Sequence, residues 1–213
     1  MRRNLVWLFD LDNTLHNANP HIFPHINRAM TDYLKTHLAL DEDAADRLRV
    51  RYWQRYGATL LGLMRHHGVD PHHFLWHTHQ FRDLPAMVRS EPGLGAALAR
   101  LPGRKVLFSN APEHYSRRIL DILGITRQFT AIFCIEHVRY TPKPSPQGFR
   151  RLLGRLRLKP GQCVMVDDSL DNLRTAKKLG MKTVLVSPAC RRSAHVDMVV
   201  GSVGDLARRM GRF

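Results

Sequence analysis

The chain has 213 residues, of which 44% are hydrophobic and 24% are charged, a composition typical of one large globular domain or a domain with an insert. Lys and Arg outnumber Asp and Glu by 33 to 18, giving a formal net charge of +15. We interpret this excess as a solvated basic surface, with attraction of nucleic acid or of a small anionic substrate as the alternatives. No apolar run approaches membrane-spanning length, and Asp10 interrupts the short apolar run near the N-terminus, so we expect neither export nor a membrane contact.

The three cysteines are Cys134, Cys163 and Cys190, and none of them forms a CxxC pair with another. An odd number of widely spaced cysteines is typical of buried thiols in a reducing compartment. We therefore expect a cytoplasmic protein.

The N-terminal part of the chain contains one predicted strand followed by a long helical segment. The apolar run at residues 5–9 predicts a buried strand, and from about residue 20 to residue 84 apolar residues recur at helical spacing. Within that segment the stripe of Leu48, Tyr52, Tyr56 and Leu60 recurs every four residues. The acids at 41–43 suit a helix N-terminus, and a further helix is predicted over 72–81.

After Pro92 the pattern alternates between strands and helices. The predicted strands cover about 105–108, 131–135, 163–166, 183–186 and 197–200, and the predicted helices 113–123, 171–179, 205–210 and one beginning at Ser145-Pro146. This alternation predicts an α/β fold with a doubly wound, Rossmann-like parallel sheet covered on both faces. About seventy residues separate the first strand from the rest, too long and too structured for a loop. We therefore expect a core at 1–16 and 89–213, with a helical cap inserted at 17–88.

Polar residues follow the predicted strands at their carboxyl ends, where ligands bind in open parallel sheets. The set comprises Asp10 and Asp12, Ser109 and Asn110, Lys143 in a loop before a helix, and Asp167 and Asp168. Carboxylate oxygens select a hard cation such as Mg²⁺, whereas lysine and serine suit phosphate oxygens. Each element alone has an ordinary reading as a cap or a turn, but the combination in this order is specific.

The same residues carry a resemblance to a known family. DLDNT, the SN of FSN, KP, and VDDS followed by A-x-x-x-G resemble the four motifs of the haloacid dehalogenase superfamily, and the helical insert is similar to its C1-type cap. YWQRYGATLLGL, FSNAPEHYSRRILDILGI and VDDSLDNLRTAKKLGM resemble the pyrimidine 5′-nucleotidase branch. The resemblance implies a Mg²⁺-dependent phosphomonoester hydrolase acting through an aspartyl phosphate, on pyrimidine nucleoside 5′-monophosphates. The alternatives are a phosphatase of a sugar phosphate or phosphoglycolate and, as a minor one, a nucleic-acid-binding or end-processing protein.

The resemblance also implies a role for each matching residue. Asp10 is the nucleophile, Asp12 the general acid and base, and Lys143 screens the charge of Asp10 against that of the phosphate. Phosphate binding is assigned to Thr14, Ser109, Asn110 and Lys143. Metal binding is assigned to Asp10, to the backbone carbonyl of Asp12, to Asp168 directly and to Asp167 through a water. Asn172 stands where many relatives carry an aspartate.

Tyr52 and Tyr56, in the cap segment that resembles the nucleotidase branch, are candidates for substrate specificity because a tyrosine can stack on a base and bond its edge. The competing interpretation is that both belong to the buried stripe of a helix. A small phosphorylated substrate is the expected partner, and the sequence leaves the oligomeric state open.

Three rival classes explain less of the pattern. A dehalogenase keeps an aspartate nucleophile but has no need of the proton-shuttling Asp12. A receiver domain places its phosphoacceptor on a middle strand and has no room for a seventy-residue cap. A basic binding module accounts for the charge but leaves the acids unexplained.

The cap is rich in histidine, with members at 66, 67, 72, 73, 77 and 79. His73 and His77 have the i, i+4 spacing of a helical zinc site. No acid or cysteine nearby completes a ligand set, so the pattern favours a polar helix face.

Overall fold

The computed structural model describes residues 5–189 and 193–209. Contacts divide the chain into two compact units, which we name the core unit (Met1–Asn17 with Val88–Phe213) and the cap unit (Ala18–Met87).

The secondary structure of the described residues follows in chain order. The strands β1 to β6 cover Val6–Phe9, Arg104–Phe108, Ala131–Phe133, Cys163–Asp167, Lys182–Val186 and Met198–Val200. The α-helices α1 to α10 cover Ile22–Leu38, Glu42–Tyr56, Thr59–His67, Pro71–Thr78, Leu84–Met87, Leu94–Arg100, Glu113–Ile122, Pro146–Leu156, Leu170–Lys178 and Val203–Arg209. Single turns of 3₁₀ helix cover Thr126–Gln128, Ile135–Val138 and Pro160–Gln162.

The core unit is built on one six-stranded sheet in the order β3-β2-β1-β4-β5-β6, and every pair of neighbouring strands is parallel. This confirms the predicted doubly wound α/β fold. The central strands are apolar and buried along their length, as a sheet covered on both faces requires. Phe9 lies opposite Leu107 of β2 and Val166 of β4, so the residues that follow these three strands emerge at one edge.

The helices of the core unit follow the predicted pattern with one addition. α6 was not predicted, because its seven residues between two glycine-containing turns give too short a periodic signal. α8 begins with Pro146 at its first turn as predicted, but Ser145 makes no side-chain capping bond. Phe149, Leu152 and Leu153 of α8 are buried, which assigns the apolar face of this basic helix to packing.

The cap unit contains α1 to α5. The predicted four-residue stripe from Leu48 to Leu60 is not one helix, because α2 ends at Gly57, whose φ of 80° is readily adopted only by glycine, and α3 begins at Thr59. Asp41 caps α2 by accepting a hydrogen bond from the backbone N–H of Ala44. Gly62 of α3 lies directly against the ring of Tyr52, where a Cβ would approach Tyr52 Cγ to 2.2 Å.

Cys134 and Cys163 are buried free thiols, as predicted, whereas Cys190 and the predicted helix end at Met210 lie outside the described residues. Among the helices of residues 5–189 and 193–209, none is both long enough and apolar enough to cross a membrane.

Candidate active site

A buried lysine lies between two buried aspartates where β1 and β4 end. Lys143 Nζ donates to Asp10 Oδ1 at 2.7 Å and to Asp167 Oδ2 at 2.9 Å, and all three residues are less than a tenth exposed. Burial raises the pKa of Asp10 to about 8, opposed by Lys143. For Lys143, burial favours the neutral amine, but the two carboxylates outweigh it and raise the pKa above its usual value. Asp10, Asp167 and Lys143, which the sequence separates by up to 157 positions, are thus brought together as predicted.

Asp167 and Asp168 have different surroundings. The carboxylate of Asp167 is fully buried and accepts from the backbone N–H of Ser169, from Lys143 and, at both oxygens, from Asn172 Nδ2 at 2.9 and 3.1 Å. Asn172, at the position where the resemblance places an aspartate in many relatives, therefore supports Asp167 through its amide. Burial and the neighbouring Asp167 raise the pKa of Asp168 to about 6, and Asn13 bonds the Asp168 carboxylate.

The donor set fits a hard divalent cation. Asp10, Asp167 and Asp168 each place a carboxylate oxygen within 4.8 Å of the oxygens of the other two. Because the oxygens of Asp167 already accept four hydrogen bonds, this carboxylate suits a contact through water, whereas Asp168 suits direct coordination. Mg²⁺ commonly uses one or two carboxylates and retains several waters, which matches this set.

The predicted phosphate-binding residues surround the same edge of the sheet. Asn110 clamps the backbone of Lys143: its Oδ1 accepts from the Lys143 N–H at 2.8 Å, and its Nδ2 donates to the Lys143 carbonyl at 2.9 Å. Ser109 is buried, and its Oγ accepts from the N–H of Ala111. Within the described residues, the buried hydroxyl of Thr14 has no hydrogen-bond partner, so it retains a donor for a ligand oxygen.

Asp12 is held by two buried residues that the sequence did not identify. The Tyr115 hydroxyl donates to Asp12 Oδ1 at 2.6 Å, and His16 Nε2 lies 2.9 Å from the same oxygen. Burial and, as the second cause, the charge of Asp12 raise the pKa of Tyr115, so the phenol stays protonated and can donate a hydrogen bond. His16 is four residues beyond Asp12, and the turn between these two residues brings its ring to the carboxylate. Tyr115 comes from α7 and is brought here only by the fold.

The two tyrosines proposed for specificity lie in the cap unit. Tyr52 is buried, and its hydroxyl bonds His67 at 2.9 Å. Tyr56 is half-buried, bonds His66 and has the guanidinium of Arg55 5.5 Å from its ring centroid. The ring of Tyr52 is buried against Gly62 and therefore packs between α2 and α3. For Tyr52 this agrees with the competing interpretation, in which the tyrosine belongs to a buried helical stripe. Tyr56 remains partly exposed.

Comparison with known proteins gives concordant matches. Phosphoglycolate phosphatase of Rhodospirillum rubrum is 30% identical over 225 residues, covering 94% of this chain and 84% of that protein. Phosphate metabolism protein 8 of Saccharomyces cerevisiae is 27% identical over 195 residues, and the match covers 84% of this chain but only 60% of the yeast protein. A crystal structure of a HAD phosphatase from Thermococcus onnurineus superposes with a TM-score of 0.69 at 22% identity, covering 97% of this chain and 98% of that one.

The family model described as haloacid dehalogenase-like hydrolase matches residues 6–180. This range includes β1 and the acid–lysine cluster, which we define as Asp10, Lys143, Asp167 and Asp168. Together with the fold, this match extends the resemblance of the motifs over most of the chain. The chain belongs to the haloacid dehalogenase-like hydrolase family.

Proposed function

We propose that this protein is a Mg²⁺-dependent phosphomonoester hydrolase that uses Asp10 as a covalent nucleophile. The observation that carries the proposal is the placement of Asp10 beside Lys143, Asp167 and Asp168 at the carboxyl edge of a parallel sheet. Membership of a hydrolase family and relatives named as phosphatases support the same chemistry.

The first half-reaction transfers the phosphoryl group to Asp10. A carboxylate oxygen of Asp10 attacks phosphorus, the bond to the alcohol oxygen breaks, and Asp12 gives its proton to the departing oxygen. Lys143 reduces the repulsion between Asp10 and the phosphate dianion, and the hydroxyls of Ser109 and Thr14 are available to its oxygens.

The second half-reaction restores the enzyme. Asp12, now a carboxylate, takes a proton from water as the water attacks phosphorus of the aspartyl phosphate; the bond to Asp10 breaks and inorganic phosphate leaves. A bound Mg²⁺, held by Asp168, Asp10 and the Asp12 carbonyl with Asp167 through water, would neutralise charge on the transferring group.

For the substrate we propose a pyrimidine nucleoside 5′-monophosphate such as UMP or CMP. The support is the likeness of the segments around Tyr56, Ser109 and Asp168 to the pyrimidine 5′-nucleotidase branch. A second candidate, phosphoglycolate or a sugar phosphate, is favoured by the R. rubrum relative, which is named a phosphoglycolate phosphatase and matches along nearly the whole chain. From the cysteine pattern we also propose a cytoplasmic location.

One kinetic experiment tests both levels of the proposal. Purified protein is assayed with Mg²⁺ on UMP, CMP, AMP, GMP, phosphoglycolate and several sugar phosphates. We expect UMP and CMP to exceed AMP and GMP at least about tenfold in kcat/KM, which needs only ~1.4 kcal/mol of differential transition-state binding. A higher kcat/KM for phosphoglycolate or a sugar phosphate selects the second candidate and leaves the phosphatase chemistry in place.

Asp10→Asn should abolish turnover of every ester, because an amide does not attack phosphorus as a carboxylate does. Asp171→Asn, which alters an exposed acid paired with Arg174, is the matched control and should retain activity. Hydrolysis by Asp10→Asn at the wild-type rate would refute the mechanism.

A further inference from the structure

Three exposed histidines of the cap unit come together on two packed helices. His37 lies near the end of α1, and His73 and His77 lie on α4 at i, i+4 spacing. The ring centroids of His73 and His77 are 4.3 Å apart, those of His37 and His73 are 5.1 Å apart, and those of His37 and His77 are 6.1 Å apart. The fold thus supplies the third imidazole that the sequence spacing of His73 and His77 lacked.

We propose that His37, His73 and His77 form a binding site for a borderline divalent cation, Zn²⁺ being the best match. A Zn–N bond of about 2.0–2.1 Å at the tetrahedral angle places the centroids of two imidazole ligands about 5 Å apart. The three observed separations lie on both sides of this value. Three imidazoles and one water complete a four-coordinate site, and imidazole is a preferred ligand for zinc and neighbouring transition metals.

Binding requires rotation of the side chains but no new backbone arrangement. The ring nitrogens of the three histidines do not yet all lie within 4.8 Å of one another. The rings must therefore turn to direct their nitrogens at one point. All three side chains are exposed, and rotation of exposed side chains is fast.

Tyr33 supplies the outer contact that a histidine ligand usually has. It is buried one turn before His37, and its hydroxyl lies 2.9 Å from His73 Nδ1. With the proton on Nδ1 donated to the Tyr33 oxygen, His73 Nε2 presents its lone pair to the ion. Burial, followed by the charge of Asp70, raises the pKa of Tyr33, which keeps it a neutral phenol rather than a ligand.

Within residues 5–189 and 193–209, one other group of ligand-type side chains outside the active site lies close together, and its atoms already make structural bonds. Cys134, Glu136 and His137 are close together, but His137 Nδ1 accepts from the Cys134 N–H, and both oxygens of Glu136 accept from the Glu113 N–H.

Isothermal titration with Zn²⁺ tests the site, using protein without a histidine tag and with Mg²⁺ in large excess to occupy the carboxylates. We expect one strong site in the wild type. His37→Ala and His77→Ala should each weaken it at least about tenfold, and Tyr33→Phe should weaken it by roughly 10- to 100-fold as loss of an outer contact does. His72→Ala is the matched control, because it removes an exposed histidine of α4 outside the cluster.

Replacement of Zn²⁺ by Co²⁺ gives a second readout, since four-coordinate Co²⁺ absorbs much more strongly in the visible than six-coordinate Co²⁺. This absorption should appear in wild type and His72→Ala and be lost in His37→Ala. The proposal is overturned if wild type binds no Zn²⁺ under these conditions, if His37→Ala binds as tightly as wild type, or if His72→Ala is as weak as His77→Ala. The site does not depend on the proposed phosphatase function.

Discussion

Tyr115→Phe isolates the contact that positions the proposed general acid. The substitution removes only the hydroxyl that donates to Asp12 Oδ1 at 2.6 Å and leaves the ring in its buried place. This bond becomes charge-assisted when Asp12 gives up its proton in the first half-reaction. Hydrogen bonds to charged groups contribute about 1.5–3 kcal/mol, and each 1.36 kcal/mol of lost transition-state stabilisation lowers the rate about tenfold.

The expected loss depends on the leaving group. His16 Nε2 still holds Oδ1 in the variant, so for an alkyl phosphate we expect kcat/KM to fall roughly tenfold, at the low end of that range. The whole contribution of general acid catalysis, about 10²–10⁴-fold, bounds the loss from above. For p-nitrophenyl phosphate the departing phenolate needs no proton, so kcat/KM should change by less than about threefold.

Steady-state kinetics on the two esters tests whether Tyr115 positions the general acid, because kcat/KM reports only the steps through release of the alcohol. Ser116→Ala is the control, since it removes the neighbouring buried hydroxyl on α7, which makes no hydrogen bond to Asp12 within the described residues. His16→Gln, which keeps an N–H donor, should retain more activity on the alkyl ester than His16→Ala. Equal losses of Tyr115→Phe on both esters would mean that the hydroxyl supports only the fold, and the positioning role would be refuted.

The remaining predictions concern protons and metal. Asp12→Asn should allow phosphorylated Asp10 to accumulate, detectable by intact-protein mass, because the base for hydrolysis is lost. A chelator should abolish activity, and Asp168→Ala should raise the Mg²⁺ concentration needed for half-maximal activity more than Asp167→Ala does; the reverse order would contradict direct coordination by Asp168. In the presence of a chelator, the free energy of unfolding should fall as pH rises from about 4 to about 8. The raised pKa values of Asp10 and Asp168 let the folded state keep protons that the unfolded state releases. Each such proton contributes up to ~1.4 kcal/mol per pH unit, and thermal unfolding of Asp10→Asn should show the shallower dependence.

The sequence was sufficient for the sheet and for most of the acid–lysine cluster. Short apolar runs ending in Asp10, Ser109 and Asp167 predicted both the strands and the polar edge, because the ends of parallel strands meet at the same side of a sheet. This inference needs only local patterns and the rule for parallel connections. The roles of these residues stay predictions until the kinetic tests are made.

What the sequence could not supply depends on contacts between distant segments. Tyr115 reaches Asp12 across 103 positions, and His37 joins His73 across 36, so neither pair has a local signature. The break at Gly57 was missed for a different reason. Leu60 continues the four-residue spacing of Leu48 and Tyr52 although it belongs to the next helix, so periodicity alone hid the turn.

The geometry around Asp10 and Asp12 shows how two neighbouring acids can take different roles. Lys143 bonds Oδ1 of Asp10, whereas Tyr115 and His16 both bond Oδ1 of Asp12. These three partners each bond one oxygen and do not use the second oxygen of the carboxylate that they hold. A cation at Asp10 moderates repulsion from an incoming anion, whereas the phenol of Tyr115 and the ring of His16 orient at Asp12 a group that must gain and lose a proton. The difference in the partners of Oδ1, rather than any difference between the aspartates themselves, therefore separates the proposed nucleophile from the proposed proton carrier.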